Sequence, residues 1–193
     1  MIEKRHALGA FLVSVGILGL LALSAFQPRY YNIDQALNVA DRYLTSLNNP
    51  DLAIREIMEF KQNYYVMYYE KSTGIGAFEM LIDKSTGRIF PEYGPNMMWN
   101  TKYGHAGMMA GRRAAPSGQM PITQSKAVTL AQQFLDRYHP GAITEDVQPF
   151  YGYYTIDITR DGKVYGMLSV NGYDGEVWYH SWHGTYIQSL EVD

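Results

Sequence analysis

Apolar positions recur along this chain with two different periods. Ala36, Val39, Ala40, Tyr43, Leu44 and Leu47 fall at i, i+3, i+4, i+7, i+8 and i+11, the stripe of an amphipathic helix. Ala127, Leu130, Ala131, Phe134, Leu135 and Tyr138 repeat the series, displaced by 91 positions. Each stripe has a start signal, Asn32 with Gln35 three residues on, and Thr123 after Pro121-Ile122. Each also has a stop, Asn48-Asn49-Pro50 and His139-Pro140-Gly141.

After each helix come short runs rich in Tyr, Val and Ile, separated by Gly-containing turns, which predict strands. Ile54 to Phe60 answers Ile143 to Phe150. Asn63-Tyr64-Tyr65-Val66-Met67 answers Gly152-Tyr153-Tyr154-Thr155-Ile156, and Leu81 to Phe90 answers Ser169 to Trp178. A helix followed by strands joined through short turns predicts an antiparallel sheet with the helix across one face. The expected fold class is therefore α+β, with two tandem units, each one helix packed on a small antiparallel sheet.

Ahead of these units, Ala7 to Phe26 holds no charged residue and would span roughly 30 Å as a helix, one bilayer crossing. Glu3-Lys4-Arg5-His6 precede it and no further basic residue comes before Arg29, which places the N-terminus in the cytoplasm and the remainder outside. A cleaved signal peptide is the rival reading, since Ala22-Leu23-Ser24-Ala25 offers small residues near the end; the length of the apolar run favours a single transmembrane anchor. Gly9, Gly16 and Gly19 would let that helix approach others closely, or simply reflect ordinary transmembrane composition.

The pattern carried by Tyr31…Ala36…Tyr64-Tyr65…Ile82-Asp83…Gly87-Arg88-Ile89, and again by Ile122…Ala127…Tyr153-Tyr154…Val170-Asn171…Gly175-Glu176-Val177, resembles the PepSY domain. It covers most of 31–90 and 122–179, and consists of core and turn positions with no invariant catalytic group. The resemblance implies a binding module outside the cytoplasm, of the kind found in protease propeptides and in membrane-tethered proteins. It implies no chemistry. The expected organisation is an anchor at 1–28, unit 1 at 29–95, a Met/Gly/Pro-rich linker at 96–121, and unit 2 with a C-terminal tail at 122–193.

Composition narrows the function classes. Only three of the charged side chains lie in the first 26 residues, two of them basic, so the rest of the chain is net acidic and offers no footprint for nucleic acid. The absence of cysteine removes disulfides and thiolate metal sites. Seventeen Tyr against seven Phe suit surfaces buried on one side and wet on the other.

Candidate chemistry is sparse. Met97, Met98, His105, Met108 and Met109 supply soft ligands that suit Cu(I), which makes a periplasmic copper carrier the alternative function; pliable packing at an irregular surface explains the same methionines. His180 and His183 would face opposite sides of a continuing strand, so a shared metal requires the chain to turn at Ser181. Ser169, Ser181 and Ser189 sit in no Gly-x-Ser-x-Gly elbow, and no Ser-His-acid order stands out. Trp99-Asn-Thr-Lys-Tyr103 echoes Trp182-His-Gly-Thr-Tyr186, so Trp99, Tyr103, Trp182 and Tyr186 are expected either to fold back on their own units or to dock on a partner.

The sequence thus predicts a non-enzymatic, single-pass, extracytoplasmic binding module without a cofactor. Its expected contacts are membrane lipid through residues 7–26 and either the subunits of a larger membrane complex or a protease that it regulates or inhibits.

Overall fold

The computed structural model describes residues 30–104 and 119–192. The chain divides into two units, Met1–Tyr30 and Tyr31–Asp193, and the second is the one described here. Its elements run α1 (Ile33–Ser46), β1 (Leu52–Phe60), β2 (Asn63–Glu70), β3 (Gly76–Asp83), β4 (Ile89–Pro91), α2 (Pro95–Met98), α3 (Gln124–Tyr138), β5 (Ala142–Phe150), β6 (Tyr153–Arg160), β7 (Lys163–Asn171), β8 (Val177–Tyr179) and β9 (Tyr186–Glu191).

Local signals set the two long helices. Asn32 caps α1 in a reciprocal capping box with Gln35, and the Thr123 side chain caps α3 by accepting from the Lys126 amide. Both helices bring alanines to the sheet, Ala36 and Ala40 on α1 and Ala127 and Ala131 on α3, and these small side chains allow close approach. Matching tyrosines pin the two helix entries: Tyr64 Oη donates to the Tyr31 carbonyl at 2.5 Å, and Tyr154 Oη to the Ile122 carbonyl at 2.8 Å.

That match corrects the strand alignment. Tyr64 corresponds to Tyr154, not to Tyr153, and a slip of one residue exchanges the faces of a strand. Tyr65 therefore matches Thr155, and Tyr153 matches Asn63. The strand partners agree, because Tyr64 pairs with Glu59 and Ile82 while Tyr154 pairs with Pro149 and Val170.

The expectation of two separate small antiparallel sheets is overturned. The strands form one nine-stranded mixed sheet in the order β8-β7-β6-β5-β3-β2-β1-β9, with β4 also paired to β3. The join is a parallel bridge between Gly76 of β3 and Phe150 of β5. The physical reason is that β2 is apolar on both faces, NYYVMYYE, with Tyr64, Val66 and Tyr68 against α1 and Tyr65 and Met67 on the other side. One helix covers one face, so each strand set needs a second cover. They cover each other: Met58, Phe60, Tyr65, Met67 and Leu81 pack with Phe150, Tyr153 and Met167 in a third apolar cluster, while the helices lie over the outer faces. Fully burying a side chain of this size contributes about 1.5–3 kcal/mol, so the helix-free faces could not be left in water.

Among the described residues no helix is long and apolar enough to cross a membrane. The anchor expected over 7–26, with Gly9, Gly16 and Gly19, lies outside the described residues.

Gly76 sits where the two strand sets join. A Cβ placed on it would meet Cε1 of Phe150 at 2.5 Å, and Phe150 is itself fixed by a stacked Tyr153 ring 4.8 Å away. The Gly76→Ala variant is expected to lose about 1–3 kcal/mol through overpacking, read as a lowered denaturation midpoint. Gly74→Ala tests specificity in space only, because nothing lies within 4 Å of its added Cβ; its φ of 72° adds backbone strain without that clash.

Candidate functional site

The polar residues enclosed between the helix-free faces form one connected network. Glu79, in the middle of β3, accepts hydrogen bonds from Tyr65 Oη at 2.8 Å, Thr155 Oγ1 at 2.7 Å and Tyr153 Oη at 2.7 Å. Thr155 lies 3.2 Å from Ser169 Oγ, which lies 3.0 Å from Nε2 of His180. Nδ1 of His180 then comes within 3.5 Å of Oε1 of Glu92, and Nε2 of His183 within 2.9 Å of the same oxygen. Trp182 Nε1 donates to that oxygen at 3.1 Å.

Each member is placed by a different element. Glu92 follows β4 and is held by its amide, which donates to the Glu79 carbonyl at 3.0 Å, and by the Asn96 amide, which spans the Glu79 and Glu92 carbonyls. β8 ends at Tyr179, and the chain turns over 181–183 before Gly184 at φ 78°. That turn brings His180 and His183 to the same side, which a continuing strand could not do. His180 stacks on Trp182 at 4.7 Å, and His183 stacks on Phe60 at 4.4 Å. Glu92, His180 and His183 are 0%, 2% and 1% exposed, and they could hold a metal ion: one ligand atom from each lies within 4.8 Å of the others.

Burial governs the titration here. Glu79 is pushed up to about 8 by desolvation, reinforced by the charge of Glu92. Burial would raise Glu92 too, but the charge of His180 and then the nearby His183 outweigh it and hold Glu92 far below the usual carboxylate range. His180 rises against its own desolvation because Glu92 lies beside it, whereas desolvation lowers His183.

Ser169, His180 and Glu92 stand in the order nucleophile, base, acid, an arrangement that the sequence did not suggest because the residues come from β7, the turn after β8 and the segment after β4. Ser169 is fully buried, and its hydroxyl is engaged with Thr155 and not presented to solvent. Glu79 was also missed. Its signal was a lone carboxylate inside the apolar run Ala77-Phe78-Glu79-Met80-Leu81.

A second feature opens to solvent. A cleft of about 400 Å³ lies between β1, β2 and β9 on one side and β5, β6 and β7 on the other, and Glu56, Asp146, Asp157 and Glu191 line it. Bulges in β1 after Ile54 and in β5 after Thr144 turn Arg55 and Asp146 toward it. Glu56 is 8% exposed, and its carboxylate makes no hydrogen bond to a described side chain, though its backbone is paired in the ladder. Desolvation, with Asp157 and Glu191 nearby, pushes it up to about 8; desolvation and Asp146 push Asp157 up to about 7.

The aromatic residues expected in the tails fold back on the chain. Trp99 meets Trp178 edge-on at 5.9 Å, Tyr103 donates to Glu70, Trp182 serves Glu92, and Tyr186 meets Phe60 at 5.9 Å. Of the methionine and histidine set, Met97 and Met98 are exposed at the end of α2, while His105, Met108 and Met109 lie outside the described residues.

No family model matches the chain, and no curated protein matches it. Two solved structures share part of its course. The C-terminal domain of Bacillus megaterium YpeB is 14% identical over 80% of this chain at a TM-score of 0.30, and the chain spans only 64% of that domain's length. A candidate lipoprotein of Clostridium difficile 630 is 15% identical over 86% of this chain and 97% of its own, at a TM-score of 0.26. Scores this low carry no argument about fold or function.

The network makes a stability prediction. Ser169→Ala removes the acceptor for a buried imidazole N–H and is expected to cost about 1–3 kcal/mol in urea denaturation. Ser125→Ala, on the exposed surface of α3, is expected to stay within about 0.5 kcal/mol of the parent.

Proposed function

We propose that this chain is a non-enzymatic binding module, tethered to a membrane and working outside the cytoplasm, that takes a basic side chain of a protein partner into its acidic cleft. The observation that carries the reading is Glu56, a largely desolvated residue whose carboxylate, bonded to no described side chain, opens on a cleft lined by three more carboxylates. Ionising it is costly because the site is partly desolvated and Asp157, Glu191 and Asp146 crowd it, and a cation entering the cleft would relieve that cost. Arg55 is the one cation among the lining residues, and its guanidinium is engaged over the Tyr69 ring at 4.4 Å.

The non-enzymatic part rests on where the reactive groups lie. Ser169, His180 and Glu92 are buried, and the aliphatic hydroxyls that line the open cleft, Thr155 and Ser189, bond to Glu79 and Tyr186 and not to its carboxylates. The membrane and extracytoplasmic parts rest on the apolar run 7–26 with basic residues before it, and on the PepSY-like pattern. Within this class the partner is either an integral-membrane complex that the chain serves as an accessory subunit, or an extracytoplasmic protease that it regulates.

Co-purification in mild detergent tests this. The parent chain is expected to bring a stoichiometric partner that raised salt releases, and Glu56→Gln with Asp157→Asn is expected to lose it. A partner retained at full yield by the double variant would refute the cleft as the docking point.

The raised acids also set a pH dependence. Glu56 binds its proton more tightly folded than unfolded, so between its ordinary value of 4.5 and about 8 the folded state carries the extra proton, and stability falls as pH rises through that window. The melting temperature of the partner-free chain is expected to decline from pH 5 to pH 8, and less steeply in Glu56→Gln. Partner affinity should move the opposite way, because the ionised cleft is the form that holds a cation.

A further inference from the structure

Glu92, His180 and His183 each carry a buried polar atom without a hydrogen-bond partner: Oε2 of Glu92, Nδ1 of His180 and Nε2 of His183. Three such buried atoms side by side are rare in a native interior and point to something they bind together.

The surrounding hydrogen bonds fix which ring nitrogens carry protons. Asn63 donates Nδ2 to the Trp182 carbonyl at 3.0 Å, so its Oδ1, 2.9 Å from Nδ1 of His183, has to accept. Neutral His183 is therefore protonated on Nδ1 and bare on Nε2. Thr155 donates to Glu79, Ser169 donates to Thr155, and Ser169 is left to accept from Nε2 of His180, so in the neutral ring Nδ1 is bare. With both rings neutral, two bare imidazole nitrogens look at one carboxylate, 2.9 and 3.5 Å away. Lone pairs facing an anionic oxygen repel unless a cation stands between them. A proton on Nδ1 of His180 would pair it with Glu92, but at 3.5 Å and without hydrogen-bond alignment, and it would still leave Nε2 of His183 bare against the same carboxylate oxygen.

We propose that Glu92, His180 and His183 form a zinc site that ties the segment after β4 to the turn leading into β9. Two imidazoles and a carboxylate are a zinc donor set, and the absence of sulfur makes Cu(I) a poor occupant. In a tetrahedral zinc site with bonds of about 2.0–2.2 Å, ligand atoms stand about 3.3–3.5 Å apart. The spacing of His180 to Glu92 already meets this, and His183 has to retreat by a few tenths of an ångström. Each imidazole also donates its other N–H to a fixed acceptor, Asn63 or Ser169, the support that metal-bound histidines ordinarily have. Oε2 of Glu92 is available to complete the coordination. The inference goes beyond the docking reading and stands or falls without it.

The test uses the full chain in detergent, stripped with a chelator and then titrated with zinc. One zinc per chain is expected, the melting temperature should fall on stripping and return with zinc, and Co²⁺ should give the visible bands of a tetrahedral site. Glu92→Gln and His183→Gln should lose stoichiometric uptake and melt alike with and without chelator. Asn63→Ala should weaken zinc about 10- to 100-fold. Replacing Met97 and Met98 by leucine should change nothing. A parent chain that takes up no zinc and melts alike stripped or loaded would overturn the proposal. So would parental uptake in Glu92→Gln and His183→Gln, which would place the ion elsewhere. If those two variants do not fold, the stripped parent and Asn63→Ala still decide it.

Discussion

Each set of strands presents apolar side chains on both of its faces, and a single helix can cover only one. Tyr64 and Tyr65, or Ile156 and Met167, cannot all be buried by α1 and α3. The remaining faces are dry only against each other, and this mutual burial produces the rest of the architecture: the bridge from Gly76 to Phe150, the third apolar cluster and the interior position of Glu79. Strands that read as near-continuous apolar runs mark burial on both sides, and β2 is such a strand.

That burial also decides what the polar groups can do. A serine, a histidine and a carboxylate in line would suggest acyl transfer at a cleft, yet here all three side chains are buried. Buried as they are, their value lies in holding one another or a shared ion, because the low dielectric strengthens each satisfied contact and penalises each orphan. The open cleft is different in kind. Its carboxylates have solvent on one side and few donors on the other, which suits attraction of a mobile cation.

The second half of the chain is not a copy of the first in its chemistry. Glu79 on β3 has the apolar Met167 as its counterpart on β7, and Tyr65 is matched by Thr155, which gives up a ring to reach Glu79 with a hydroxyl. Each half thus supplies what the other leaves out: the carboxylates come from β3 and the segment after β4, the imidazoles from the turn after β8. A network of this sort holds together only when both halves are present.

The sequence by itself determined the parts governed by near neighbours. Asn32 with Gln35 and Thr123 start the two helices, and the alanine stripes choose their inner faces, because capping and helical periodicity act within a few residues. The turn chemistry around Asp83 and Asn171 was legible for the same reason. Tertiary structure alone decided that two expected sheets are one, and that Tyr64 answers Tyr154 and not Tyr153, since a strand's face depends on what covers it. It alone brought Glu92 to His180 and His183, roughly ninety positions along the chain. No local period encodes such a meeting; it results from the turn at Ser181 and from the need of two apolar faces to exclude water.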